Sequence, residues 1–187
     1  MEEFNVATFL FINQYAGKNS LLDSLFIIAA KVAPYVFILI LLFLWFNRQR
    51  DRKKPAFNAG LSVIVGMVTN HIIAILYYHP RPFAEHLGTQ LIQHVNNSSF
   101  PSNHGVFLFC IALMLLFNKT TRALGSVLCV FAFIGGVARV FCGVHFPLDI
   151  LGAILVAIFS SVVVFIFDKK SSCLFNYFLE KIPKRLK

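Results

Sequence analysis

The chain has 187 residues, 58% of them hydrophobic and only 13% charged, with a mean hydropathy of +0.74. A soluble globule needs far more surface charge, so this balance excludes one and defines an integral membrane protein with a single domain over residues 1–187. The net charge of +9 does not signal a nucleic-acid partner, because the basic residues border apolar runs, where they set topology and attract anionic lipid.

Residues Phe4 to Tyr15 are apolar but too short to span a bilayer, which takes about 20 helical residues. They predict a short interfacial helix within segment 1–20, ended by Gly17-Lys18-Asn19-Ser20. The acidic start Met-Glu-Glu-Phe-Asn does not resemble a cleavable signal. A first span runs from about Leu22 to Phe46, with Trp45 as its interface anchor. Lys31 interrupts it and either snorkels to the interface or faces the bundle interior, toward whatever anion a site there binds. Asn47 to Pro55 reads as a basic loop, and a second span follows from about Ala56 to Tyr78.

His79 to Ser102 is a longer polar stretch rich in His and Asn. A short third span, about His104 to Phe117, leads through the basic turn Asn118–Arg122 to a fourth, about Ala123 to Phe141, and a fifth, about Pro147 to Phe167. The tail 168–187 is basic, and its amphipathic Leu174-Phe-Asn-Tyr-Phe-Leu179 is expected on the membrane surface. The predicted fold class is thus an all-α membrane helical bundle of about five transmembrane helices, flanked by an interfacial N-terminal helix and an amphipathic C-terminal one. Cys110, Cys129, Cys142 and Cys173 show no metal-ligand spacing and read as small hydrophobes.

The charges orient this bundle. Arg48, Arg50, Arg52, Lys53, Lys54, Lys119, Arg122, Lys169, Lys170, Lys181, Lys184, Arg185 and Lys187 fall on one side, thirteen of the 17 basic residues. By the positive-inside rule that side is cytoplasmic. Arg81, His104, Arg139, His145 and Asp149 then lie on the extracytoplasmic side, where two arginines break the rule unless an anion holds them there.

Ionisable residues beside membrane segments suggest a site. His145 and Asp149 are spaced i, i+4, and Pro147 suits the first position of a helix. The carboxylate then either fixes the histidine's tautomer and raises its basicity or simply caps the helix. Two guanidinium forks, Arg81 and Arg139, suit phosphate oxygens. Ser102 and the amides of Asn103, His104 and Gly105, entering a helix, add donors where its dipole favours an anion. His104 and His145 supply two imidazoles, one to attack and one to protonate a leaving oxygen.

With these residues in this order, the sequence resembles the type 2 phosphatidic acid phosphatase (PAP2) family of lipid phosphatases, related to vanadium haloperoxidases. The family motifs Lys-x6-Arg-Pro, Pro-Ser-Gly-His and Ser-Arg-x5-His-x3-Asp read here as Ala74…Arg81-Pro82, Pro101-Ser102-Asn103-His104 and Ala138-Arg139…His145…Asp149. The flanking Pro-Arg-Pro-Phe, Ser-Phe-Pro-Ser-Asn-His and Gly-Val-His-Phe-Pro-Leu-Asp-Ile-Leu-Gly are most similar to its bacterial undecaprenyl-diphosphatase branch, linked to bacitracin resistance. The resemblance implies a multi-pass enzyme of the bacterial cytoplasmic membrane that hydrolyses a polyprenyl diphosphate to the monophosphate at the extracytoplasmic face, recycling the cell-wall carrier lipid. It implies His145 as nucleophile through a phosphohistidine, Asp149 orienting it, and His104 as general acid and then base. Arg81, Ser102, Arg139 and the backbone near Asn103 to Gly105 would hold phosphate, with no metal or other cofactor.

Three departures thin the phosphate grip: Ala74 for lysine, Asn103 for glycine and Ala138 for serine. Lys31, if it points inward, is a candidate substitute for the missing lysine. His79, Glu85, His86 and His94 read as loop residues near the headgroup, Glu85 being a candidate to position the second phosphate or water; a zinc site lacks acidic or cysteine partners at ligand spacing. The expected partners are the lipid substrate and membrane lipids, with no protein partner required. The competing readings are a broader lipid phosphatase acting on phosphatidylglycerophosphate or phosphatidate, a lipid phosphotransferase, and, from another class, a carrier that binds lipid phosphate without cleaving it.

Overall fold

A computed structural model describes residues 2–47, 49–168, 172 and 174–177. Their helices are α1 (Glu2–Asn13), α2 (Ser20–Phe46), α3 (Arg50–Leu76), α4 (Asn103–Phe117), α5 (Arg122–Phe141) and α6 (Pro147–Ile166), with a single 3-10 turn at Pro82–Glu85; there is no strand among the described residues. Four of these, α2, α3, α5 and α6, are long and apolar enough to cross a membrane. The protein is therefore an all-α, multi-pass membrane bundle.

Helix α4 is apolar but has only 15 residues, which rise about 22 Å, less than a bilayer's hydrocarbon thickness. It packs against α2, α3, α5 and α6, so protein rather than lipid surrounds most of it. Val106, Cys110, Ile111, Ala112 and Leu115 are fully buried along it. Small residues let its neighbours approach: a Cβ on Gly105 would fall 2.7 Å from that of Ala153 on α6. Because α4 begins beside α6, the residues at its N-terminus and those before α6 share one end of the bundle.

One sequence expectation is corrected here and another is extended. The basic stretch Asn47–Pro55 is not all loop, because α3 already starts at Arg50. Arg and Lys are good helix formers, and Asp51 in the first turn complements the dipole. Pro55, the helix's sixth residue, costs one hydrogen bond without ending it. The N-terminal helix, too, does more than lie at an interface. Asn5, Phe9 and Asn13 form one buried face of α1, at i, i+4 and i+8. Phe9 packs edge-on against Phe146, with ring centroids 5.3 Å apart.

Asn13 donates through Nδ2 to the carbonyls of Phe141 (2.7 Å) and Thr89 (2.9 Å) and accepts from the Thr89 amide (2.6 Å). The Leu91 amide donates to the Cys142 carbonyl at 3.0 Å. Gly143 closes the turn after α5 with φ +77°, and any Cβ there would lie 2.4 Å from the Thr89 carbonyl oxygen. Helix α1, the 88–92 loop and the turn leading to His145 are thus one hydrogen-bonded unit. Asn13→Ala leaves two carbonyls and an amide without this partner, so unfolding stability in detergent should fall by about 1–3 kcal/mol. A thermal melt unchanged from wild type would refute that role.

At the opposite end, Lys54 pairs with Asp168 at 2.5 Å, and Asn58 donates to the same carboxylate at 3.0 Å. Residues 174–177 are helical, and Phe175 packs against Trp45 and Phe57 (centroids 6.1 and 5.6 Å). Arg48, Lys169, Lys170, Cys173 and all of 178–187, including the rest of the expected amphipathic helix, lie outside the described residues.

Candidate active site

Chain direction brings three segments to the α4 N-terminal end: the end of α3 and its following loop, the start of α4, and the α5–α6 turn. Arg81, Ser102, Arg139, His145 and Asp149 are all buried there, each 4% exposed or less. Groups so shielded from bulk solvent depend on their protein partners for their electrostatics.

Asp149 makes both contacts that its spacing allows. It lies in the first turn of α6, and its Oδ2 accepts from the Phe146 amide at 2.8 Å, capping the helix. The same oxygen lies 3.2 Å from His145 Nδ1 and accepts a short hydrogen bond from the Ser99 hydroxyl. A carboxylate only accepts, so Nδ1 carries the proton. On the other side of the ring, Arg81 Nη1 lies 3.2 Å from His145 Nε2. A guanidinium only donates, so Nε2 presents its lone pair. Burial pushes the His145 imidazole down to about 4 despite the opposing hydrogen bond and charge of Asp149, so the ring is neutral at physiological pH.

The two arginines are in opposite states. Arg81 is saturated: Nε and Nη2 donate to Asn97 Oδ1 (3.2 and 2.9 Å), Nη2 to the Ser98 carbonyl (3.2 Å), and Nη1 to the Val144 carbonyl (2.8 Å). Burial lowers its pKa to about 10, so it remains a cation at neutral pH. Arg139, on the last turn of α5, keeps Nε and Nη2 buried with no hydrogen-bond partner among the described residues. Stranding the donors of a buried charge is costly, and an anion would satisfy them.

Ser102 is the N-cap of α4; its Oγ accepts from the Gly105 amide at 3.4 Å, and its own amide donates to the Asp149 carbonyl at 3.1 Å. Asn103 turns its side chain to α3, where Asn70 Nδ2 donates to its Oδ1 at 2.6 Å, so only its backbone faces the site end. His104 is half-buried, close enough to feel the charges of Arg139, His145, His94 and Arg81. It also borders an apolar opening of about 240 Å³ lined by Pro34, Ile38, Met67, Asn103 and Phe107.

Lys31 makes no direct contact with this cluster among the described residues, although its charge reaches Cys142 in the turn after α5. Its side chain is exposed on α2, and it makes no hydrogen bond or ion pair among the described residues. Glu85 and His86 are exposed near the 3-10 turn, and His79 packs against Phe146. Ser99 and Asn97 are participants that sequence reasoning missed. Ser99 stands three residues before Ser102 within Ser-Phe-Pro-Ser-Asn-His, so a buried hydroxyl in that motif was its only signal. Asn97 had none. Among the described residues, no group of three or more His, Cys, Asp and Glu is placed to hold a metal ion.

Fold and site together define a multi-pass membrane protein with a buried cluster of two arginines, a histidine and an aspartate. The chain belongs to the PAP2 superfamily, whose model matches residues 55–173. It is 35% identical over 154 residues to undecaprenyl-diphosphatase BcrC of Bacillus subtilis (strain 168), covering 82% of this chain and 79% of that one. It is 31% identical over 188 residues to the bacitracin transport permease protein BcrC of Bacillus licheniformis, covering 98% and 91%. Among solved structures, Aquifex aeolicus LpxE superposes with a TM-score of 0.72 at 28% identity, covering 87% of this chain and 94% of that one.

Proposed function

We propose that the protein is a lipid phosphatase that hydrolyses a polyprenyl diphosphate, undecaprenyl diphosphate foremost, to the monophosphate. The observation that carries this reading is Arg139, a buried guanidinium with two unpartnered nitrogens in the same centre as a neutral histidine that presents Nε2. An anion that satisfies Arg139 is placed for attack by that nitrogen.

The terminal phosphate enters between Arg139 and the N-terminus of α4. His145 Nε2 bonds to its phosphorus while the bond to the bridging oxygen breaks. The hydrogen bond from Arg81 to Nε2 passes to a phosphate oxygen as the nitrogen loses its lone pair. Asp149, backed by Ser99, stabilises the positive charge that develops on the ring. His104 donates a proton to the departing lipid monophosphate, then takes one from the water that cleaves the phosphohistidine to inorganic phosphate. The arginines supply the positive charge, so no metal is required. The apolar opening beside His104 leads the prenyl chain away from the reacting phosphorus.

Arg52, Lys53, Lys54, Lys119 and Arg122 lie at the end opposite the site, which supports an extracytoplasmic active site in the bacterial cytoplasmic membrane by the positive-inside rule. The product would re-enter cell-wall synthesis, and removing the diphosphate would confer bacitracin resistance. The permease name of one relative keeps a carrier as the competing reading, but a carrier has no use for an oriented nucleophile.

The test is phosphate release by purified protein in chelator, comparing undecaprenyl diphosphate, phosphatidate and phosphatidylglycerophosphate. The diphosphate should give the highest kcat/KM with chelator present. Preference for a monoester would overturn the substrate, and loss of activity in chelator the metal-free chemistry. Absence of release from all three would overturn the enzyme.

A further inference from the structure

A third imidazole faces the nucleophile and has no part in the mechanism above. His94 sits in the long α3–α4 loop, half-buried, with its ring centroid 6.2 Å from that of His145 and the planes at 72°. Its Nδ1 lies 3.0 Å from the Val95 carbonyl oxygen, so Nδ1 carries a proton and is held there. Nε2 is the nitrogen left for a ligand. The charges that act on His94 are those of Arg81 and Arg139, and His94 in turn acts on His104, so all these groups share one space.

We propose that His94, as an imidazolium, donates through Nε2 to an oxygen of the bound phosphate, making it a substrate-binding residue of this site. Two facts point to a ligand rather than to packing. Arg139 beside it lacks partners for two buried nitrogens, so an anion belongs in the space that these groups share. The first position of the family's first motif holds Ala74 in place of lysine, and Lys31 is exposed on α2, so neither residue supplies that cation to the space around His94. Without an anion, burial and the two arginines hold the pKa of His94 below its ordinary value, the Val95 carbonyl opposing them. That direction favours the neutral ring when no anion is bound. A phosphate dianion reverses the local field, so binding draws a proton onto Nε2. The charged and titratable groups that share this space with it are Arg81, Arg139, His104, His145 and Asp149.

This inference rests on the site binding phosphate. The probe is inorganic phosphate, measured as a competitive inhibitor of diphosphate hydrolysis at about pH 6 and about pH 8. His94→Ala should weaken phosphate binding about tenfold or more at the lower pH, with much less effect at the higher. His94→Gln, a neutral donor, should restore part of the affinity and none of the pH dependence. Equal inhibition constants for wild type and His94→Ala at both pH values would overturn the proposal. So would an equal loss at both, which marks a packing role. If wild type is active but phosphate does not inhibit it, binding of phosphate by this site fails first, and His94 with it.

Discussion

His145→Ala is expected to reduce phosphate release by about 10⁴-fold or more, because removal of a covalent nucleophile leaves only binding and electrostatic effects. The side chain is 1% exposed and lies between Asp149 and Arg81, so the variant also leaves a small polar void. A near-native thermal melt separates lost chemistry from lost structure. The pH profile gives a second reading. Attack needs the neutral ring, and burial holds its pKa at about 4. As pH falls through the ordinary histidine range, about 6.5, His145 should therefore remain competent. Single-turnover phosphorylation should lose rate only as pH approaches that lower value. Loss of the phosphorylation rate with a midpoint at the ordinary histidine value would refute a buried, neutral nucleophile, and full activity of His145→Ala would refute the nucleophile itself.

Arg139→Met should separate activity from stability. Removing the guanidinium proposed to receive the developing charge should cost about 10²–10³ in kcat/KM. That cation, however, has two buried nitrogens without partners among the described residues, so a methionine of similar length should leave stability unchanged or raise it by about 1–4 kcal/mol. Arg81→Met is the contrast. It strands Asn97, the Ser98 and Val144 carbonyls and His145 Nε2 together, and should lower stability as well as activity. Phosphate completes the cycle, stabilising wild type by about 2.7 kcal/mol at a hundredfold excess over Kd and Arg139→Met far less. If Arg139→Met melts as low as Arg81→Met, Arg139 is a structural residue and the anion-receiving reading of the site is wrong.

The sequence by itself determined the membrane bundle, the span order and the residues that gather at one end. Those follow from apolar run length, from charges too costly to leave in lipid, and from short spacings such as His145 to Asp149, which a helix start converts directly into contact. Positions off this pattern were harder to read. Phe4 to Tyr15 announced an interfacial helix because average hydropathy hides a face, and only folding puts Asn5, Phe9 and Asn13 against the site turn. Asn47–Pro55 looked like loop because charge and proline outweighed helix propensity.

Only the tertiary structure could distinguish the two arginines, which look alike in sequence. Arg81 meets Asn97 and Ser98 from its own loop and Val144 from a turn 63 residues away, and is saturated. Arg139 meets nothing that accepts its Nε and Nη2. The same holds for Lys31, which sequence position left free to face inward and which the bundle turns outward, and for His94, whose place beside His145 depends on how a long loop folds back. Hydrogen-bond saturation is a property of groups far apart in the chain. Local pattern reports which residues are expensive to bury, and the fold decides which of them find partners.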